Sequence, residues 1–121
     1  MLSTSECAEH SSIDSMNIGS RLVLTPEGSV TYENCRQYKE KIENAIQGKK
    51  SEIILDCRHV DLFDSAALEF LVQTHAELRS KGGALKIVGL NEVCRDILLV
   101  TQVMNVLFVY KDIHDAITNI P

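Results

Sequence analysis

The side chains best placed for chemistry lie in one short stretch, between a strand-like segment that ends at Asp56 and a helix-like segment that begins at Asp64 and Ser65. The segment before Asp56 is rich in β-branched residues, which favours a strand, and the residues after Ser65 are good helix formers. A hydroxyl is therefore expected just beyond the exit of a strand. Open α/β sheets carry their functional residues at that edge.

The residue types around this turn leave more than one interpretation open. Asp64 and Ser65 are both favoured at a helix N-terminus, so the pair can serve as a helix cap and nothing more, and composition alone favours that interpretation. The carboxylates of Asp56, Asp61 and Asp64 are oxygen ligands of the kind that divalent cations prefer, but no further ligands follow at regular spacing. We therefore predict a solvated acidic loop without a metal site, and we expect Asp64 to cap the helix.

Motifs typical of enzymes are absent from the sequence. It contains no glycine-rich nucleotide-binding motif, no Gly-x-Ser-x-Gly and no His-Glu-x-x-His. The cysteines lack the two-residue spacing of zinc sites, so we expect them to be small, reduced side chains: Cys7, Cys35, Cys57 and Cys94. We predict a non-enzymatic protein without a cofactor.

Length, composition and charge limit the possible classes further. A chain of 121 residues corresponds to one domain. We assign residues 1–12, which are polar and lack periodicity, to a flexible tail and residues 13–121 to the domain. The net charge of −5 argues against nucleic acid as a partner. No segment approaches the ~18 apolar residues of a membrane span, so we predict no membrane insertion and a cytoplasmic location.

The first third of the chain predicts a hairpin and a helix. Alternation from Met16 and a β-rich run to Thr25 favour the hairpin, and Pro26 is expected to end it because proline has no N–H to give to a strand ladder. Thr31 is expected to cap the following helix, and Gly48 to end it.

The middle of the chain predicts a buried strand, a loop and a long helix. Residues 53–55 are apolar at consecutive positions, which favours a strand covered on both faces, and residues 57–63 are expected to form a loop. The helix should span residues 65–81 and leave Phe70 partly exposed, unless the preceding loop folds over it. Its expected core stripe consists of Leu68, Leu71, Val72, His75 and Leu78.

The last third predicts two further strands and two further helices. Strands are expected at residues 84–88 and 107–110, a helix from a cap at Asn91 to about Val103, and a final helix over residues 113–120 with a cap at Asp112. The fold class is therefore α/β: a mixed sheet of about five strands with four helices, in which an N-terminal antiparallel hairpin precedes parallel, right-handed crossovers.

Several of these segments together resemble the STAS domain of the anti-sigma factor antagonist family. The resemblance covers about Arg21 to Ile120 and is specific in order and spacing. It depends on the strand that ends at Asp56, the helix start Phe63-Asp64-Ser65-Ala66-Ala67-Leu68, the turn Gly82-Gly83, the strand Leu85-Lys86-Ile87-Val88-Gly89 and the helix start Asn91-Glu92-Val93.

The resemblance implies a function in signalling. In that family the Ser that follows the helix-start Asp is phosphorylated by an anti-sigma factor that is a histidine-kinase-like serine protein kinase, and only the unphosphorylated form binds the kinase and releases the sigma factor. Ser65 would then be the phosphorylation acceptor, with Asp56, Asp64, Ala66 and Phe70 beside it on the partner-binding surface. ATP and magnesium would belong to the kinase.

The chain also departs from the family pattern. Ala66 and Ala67 stand where the family has a second Ser and a Gly. The family commonly has Gly-x-Leu-Asp after the second strand, and this chain reads Gly28-Ser29-Val30-Thr31, with Thr31 at the Asp position. These departures keep a second hypothesis open: a constitutive STAS interaction or scaffold module, in a transport or signalling complex, without a phosphorylation cycle. The sequence leaves the oligomeric state open.

Overall fold

The computed structural model describes residues 13–118, which form one mixed sheet of six strands and four α-helices. In chain order the elements are β1 (Ile13–Ile18), β2 (Arg21–Val30), α1 (Cys35–Gln47), β3 (Glu52–Asp56), β4 (His59–Phe63), α2 (Ser65–Ser80), β5 (Ala84–Val88), α3 (Glu92–Val100), a short 3-10 helix (Val103–Asn105), β6 (Phe108–Tyr110) and α4 (Ile113–Thr118). The predicted tail and the predicted end of the last helix at Ile120 lie outside the described residues.

The sheet has the predicted architecture. Its strand order is β1-β2-β3-β5-β6, and β4 pairs with β2 beside this path. Strands β1 and β2 form an antiparallel hairpin, whereas β2, β3, β5 and β6 pair in parallel. The prediction of an α/β fold with an antiparallel hairpin followed by parallel crossovers is confirmed.

The predicted loop at residues 57–63 is wrong, because most of it forms β4. Val60 and Phe63 are 1% and 3% exposed, while the three other side chains of this strand point to solvent. Strand β4 pairs in parallel with the second half of β2, in which Glu27 is opposite His59. Two consecutive exposed residues interrupt the alternation by which a strand is recognised in sequence.

The expectation that Pro26 ends the second strand is also wrong. Strand β2 runs to Val30; its first half pairs with β3 as far as Leu24, and its second half pairs with β4 from Glu27 onward. Pro26 lies between these two parallel ladders, where a missing N–H is tolerated. A register shift after Gly28, which has a φ of +79°, accompanies the change of partner.

Helix α1 begins three residues later than predicted. Thr31 is not its cap: the Thr31 carbonyl accepts the Cys35 N–H at 2.9 Å inside a turn that precedes the helix. Asn34 holds this turn, since its side-chain oxygen accepts the Thr31 N–H at 2.8 Å and its side-chain nitrogen donates to the Ser29 carbonyl at 2.8 Å. The predicted end of the helix at Gly48 is confirmed.

Strand β3 is covered on both faces, as predicted. Ile53 and Leu55 belong to the larger hydrophobic cluster together with buried residues of α1, α2 and α3, whereas Ile54 belongs to a smaller cluster with Ala116 of α4. Three helices therefore pack on one face of the sheet and α4 on the other. None of the helices within residues 13–118 has the length and apolar character that crossing a membrane requires.

Helix α2 is buried along a stripe that differs from the predicted one. The buried residues are Ala67, Phe70, Leu71, Thr74 and Leu78. Of the predicted stripe, only Leu71 and Leu78 are fully buried, because α2 packs against α1 as well as against the sheet. Contact with the neighbouring helix rotates the buried arc toward Phe70 and Thr74.

Candidate functional site

Two helices of the protein begin side by side at the same edge of the sheet. Val30, the last residue of β2, is paired with Phe63, the last residue of β4, and the chain enters α1 from the first strand and α2 from the second. The Asp64 N–H donates to the Val30 carbonyl at 3.2 Å, which fixes the exit of β4 against β2. Ser65 is the first residue of α2, and its side chain is exposed.

Asp64 joins the starts of the two helices. One carboxylate oxygen accepts the Ala67 N–H at 2.9 Å, which caps α2 as predicted. The other oxygen accepts the Tyr32 N–H at 2.9 Å from the turn that precedes α1. The N–H groups of Tyr32 and Ala67 lower the pKa of the Asp64 carboxyl below its ordinary value, because they stabilise the ionised form. Asp64 is therefore a fixed anion that orders the turn beside Ser65.

Tyr32 is the exposed aromatic side chain at this edge, and sequence reasoning did not single it out. It is 79% exposed, although its backbone is held by Asp64. The sequence contains a signal for this exposure, because a tyrosine in a polar turn, outside any apolar stripe, is not expected in the hydrophobic core. The expectation of a helix cap at Thr31 hid this signal by placing Tyr32 inside the helix.

Phe70 is not the partly exposed aromatic residue that was predicted. Its side chain is 8% exposed and packs into the larger hydrophobic cluster, so the prediction of partial exposure is wrong. The cause is the contact between α1 and α2, which the periodicity of α2 alone does not report. Ala66 is half-buried and, like Phe70, faces the space between the two helices.

A groove of about 490 Å³ lies between α1 and α2 and opens at the edge that carries Ser65. We call it the α1–α2 groove, and it is lined by Tyr32, Glu33, Cys35, Arg36, Lys39, Ala66, Glu69, Phe70, Gln73, Thr74 and Glu77. Burial, and then the charge of Asp64, raise the pKa of the Cys35 thiol, which favours its protonated form. The groove is within the size range of binding sites, roughly 300–1,000 Å³.

Asp56 lies elsewhere, buried at the end of β3. Its side chain is 1% exposed, and the Arg58 guanidinium binds it with Nε 3.0 Å from each carboxylate oxygen. Gly89 leaves room for this ion pair, because a Cβ there would be 2.6 Å from the Arg58 Cγ. The pair lines a separate cavity of about 260 Å³ with residues of α4. Because Asp56 is buried and paired with Arg58, its position gives no support to a direct contact with a partner, and that contact stays a prediction.

Two of the three carboxylates considered as cation ligands, Asp56 and Asp64, are engaged with other groups, whereas Asp61 is exposed on β4. Arg58 binds Asp56, and backbone N–H groups bind Asp64. Within residues 13–118, no three His, Cys, Asp or Glu side chains are grouped so that they could hold a metal ion. Cys57 and Cys94 are buried and free, and burial raises the pKa of both thiols.

Comparison with known proteins identifies a family that this chain matches and solved structures that share its fold. The model of the STAS domain family matches residues 10–116. A candidate anti-sigma factor antagonist from Thermotoga maritima has a similar structure, with 22% sequence identity and a TM-score of 0.81 over 89% of this chain and 93% of that chain. An anti-sigma factor antagonist from Mycobacterium paratuberculosis has 17% identity and a TM-score of 0.77 over 88% and 90% of the two chains.

The Bacillus cell fate determinant SpoIIAA in its phosphorylated form is a third similar structure, with 18% identity and a TM-score of 0.67 over 87% of this chain and 96% of that chain. Identities this low indicate a shared fold and leave residue roles to be argued from the chain itself. No curated protein sequence matches this chain significantly.

Proposed function

Since this chain belongs to the STAS domain family, we propose that it acts as a non-enzymatic anti-sigma factor antagonist. In this proposal it binds an anti-sigma factor that is a histidine-kinase-like serine protein kinase, and the kinase phosphorylates Ser65. The unphosphorylated chain is the binding form. Phosphorylation ends the interaction and returns the anti-sigma factor to its sigma factor.

The exposed hydroxyl of Ser65 at the start of α2 is the observation that carries the proposal. This helix has 16 residues, and its N-terminus presents backbone N–H groups and the positive end of the helix dipole. Both features favour a phosphate group at this position. The Asp64 cap holds the first turn in place, so the hydroxyl is presented on a rigid element.

Phosphoryl transfer to Ser65 requires this chain only to position the serine hydroxyl. The Ser65 oxygen attacks the γ-phosphorus of ATP held by the kinase, the bond to the β-γ bridging oxygen breaks, and ADP leaves. Asp64 is a poor acceptor for the hydroxyl proton, because its two oxygens accept backbone N–H groups and its pKa is lowered. The base that takes the proton therefore belongs to the kinase. Positioning and electrostatic stabilisation supply most of the catalysis in such transfers.

The modified chain should bind the kinase more weakly for an electrostatic reason. Phosphate adds ~1.5 to 2 negative charges beside the fixed carboxylate of Asp64. The dipole of α2 can hold this charge while it is hydrated, but a partner surface that covers it must remove its water. The start of α2 thus stabilises the phosphate in the free chain, whereas loss of the phosphate's water destabilises the complex with the kinase.

Labelling of Ser65 by the cognate kinase tests the proposal. We expect the kinase with radioactive ATP to label the wild-type chain and the Ser20→Ala variant, in which another exposed serine is removed. It should not label Ser65→Ala, which should still bind the kinase. If the wild-type chain is never labelled, or if Ser65→Ala is labelled equally well, phosphorylation at Ser65 is refuted and the scaffold function takes its place.

A further inference from the structure

We propose that the α1–α2 groove docks a segment of the kinase that carries charges of both signs, with acidic side chains toward α1, basic side chains toward α2 and an apolar side chain between them. This inference depends on the proposed function, because it names the surface by which the kinase holds its substrate. The groove is distinct from the acceptor hydroxyl and would act by positioning it.

The groove is continuous with the acceptor residue. Both helices start at one edge of the sheet, so the groove between them begins beside Ser65 and runs away from that edge toward Glu77. Ala66 lines its opening on one side and the exposed ring of Tyr32 on the other. A segment in the groove would therefore fix the first turn of α2 relative to the rest of the kinase.

The two walls of the groove carry opposite charges. Arg36 and Lys39 lie on α1, one turn apart, whereas Glu69 and Glu77 lie on α2, two turns apart. Glu33, in the turn before α1, also lines the groove near its opening, so the α1 wall has a net positive charge and the α2 wall a net negative charge. Among the described residues, no ion pair joins one wall to the other. The charged side chains thus line the same space without direct contact between opposite charges. A partner segment with the complementary arrangement would be steered into one orientation, and the reverse orientation would place like charges together.

The floor of the groove is well packed and consists of an aromatic ring, a thiol and a buried threonine. Phe70 is 8% exposed and Thr74 is 6% exposed, and the Cys35 side chain lies beside them. A side chain placed on this floor loses its contact with water between two charged rims. An apolar centre with a polar border is the usual arrangement of an interface hot spot. A partner helix laid into the groove would meet these three features together.

Steady-state phosphorylation kinetics with a double charge reversal test the inference. In Arg36→Glu/Lys39→Glu, the acidic edge of the docked segment would face two new carboxylates. We expect KM for the chain to rise roughly tenfold with kcat nearly unchanged, because the groove contributes binding and not chemistry. Reversal of the opposite wall, in Glu69→Lys/Glu77→Lys, should raise KM in the same way, and both effects should shrink as the salt concentration rises.

A matched control changes the same net charge elsewhere. Arg95→Glu/Lys111→Glu reverses two exposed cations that do not line the groove, and it should keep the KM of the wild-type chain. Thermal melting of each variant checks that it is folded. If the groove variants and the control have the same KM, the inference is overturned, even though labelling of the wild-type chain still supports the proposed function. If the wild-type chain is not labelled at all, the proposed function is refuted, and the inference that depends on it is refuted as well.

The alternative occupant of the α1–α2 groove is a second copy of the chain. Analytical ultracentrifugation of the wild-type chain and of Arg36→Glu/Lys39→Glu would detect it. If the wild-type chain self-associates and the reversal abolishes this association, the groove binds another copy and docking of the kinase segment is contradicted. Equal sedimentation of the two proteins, together with the rise in KM, supports the kinase segment.

Discussion

At the scale of single residues, Asp64 determines the geometry around the candidate acceptor. It accepts one N–H from the turn before α1 and one from the first turn of α2. The neighbouring Ser65, which is also a favoured residue type at a helix start, is the first residue of α2, and its side chain is exposed. The division of roles explains how a pair that suits helix capping can also present a reactive group: Asp64 provides the cap, and Ser65 is left for a partner.

The lowered pKa of Asp64 leads to a prediction about stability and pH. The ionised form is favoured in the folded chain, so Asp64 contributes stability above about pH 4, the ordinary pKa of an unfolded aspartate. This contribution is lost as the pH falls through the lower pKa of the folded chain. We expect Asp64→Ala to unfold at a lower urea concentration than wild type at about pH 7, and the difference to shrink at about pH 2.

A control for this prediction is Asp96→Ala, which removes an exposed carboxylate of α3. It should show little change in urea midpoint at either pH. A difference between wild type and Asp64→Ala that stays constant across the acid range would contradict the role assigned to the ionised carboxylate.

At the scale of elements, the turns that follow α1 and α2 meet at the opposite end of the sheet from Ser65. The Ala84 N–H donates to the Ser51 carbonyl at 2.9 Å, and the Gly83 N–H donates to the Leu78 carbonyl at 2.7 Å. A Cβ at Gly83 would lie 2.1 Å from the Ser51 carbonyl oxygen, which belongs to the backbone and cannot move aside alone. The close approach of the two turns requires glycine there.

We therefore expect Gly83→Ala to lower the free energy of unfolding by about 1–3 kcal/mol, the usual cost of overpacking. Gly48→Ala is the matched control, since a Cβ at Gly48 would be 3.5 Å from its nearest neighbour, an ordinary contact. Its effect should stay within about 0.5 kcal/mol. Urea denaturation of both variants measures the two values. Equal stabilities of Gly83→Ala and Gly48→Ala would show that the turns separate easily.

The elements also show which features a sequence can predict. A continuous apolar run identified β3, because a parallel strand with both faces covered has no polar alternation. Strand β5 was identified from a β-rich run in which Lys86 is the one polar residue. Side-chain caps identified the starts of α2 and α3, where Asp64 and Asn91 accept backbone N–H groups. Strand β4 was missed because its pairing with β2 is a long-range contact, and its own residues do not alternate.

The same distinction applies to the candidate site. The positions of Asp64 and Ser65 at a helix start follow from local sequence, since a helix cap depends on residues within one turn. The role of Ser65 as acceptor was implied by the family resemblance. Tyr32, the burial of Phe70 and the α1–α2 groove depend on how two helices pack against each other. The hydrophobic periodicity of one helix carries no information about its neighbour, so the exposure predicted for Phe70 was wrong.

At the scale of the whole molecule, the sheet brings the starts of two helices, a rigid carboxylate and an exposed serine to one edge. The chain belongs to the STAS domain family and resembles anti-sigma factor antagonists in fold. In the proposed function, phosphate at that edge would make the net charge of −5 more negative. A single modification there changes the electrostatics of the surface around Ser65 and leaves the core untouched, which suits a reversible binding switch.

Isothermal titration of the nucleotide-bound kinase with the unmodified chain and with the chain phosphorylated at Ser65 tests this account most directly. We predict that the unmodified chain binds and that phosphorylation weakens binding at least about tenfold, which corresponds to roughly 1.4 kcal/mol. Ser65→Ala should bind like the unmodified chain. Equal affinities of the unmodified and phosphorylated chains for the kinase would contradict the switch.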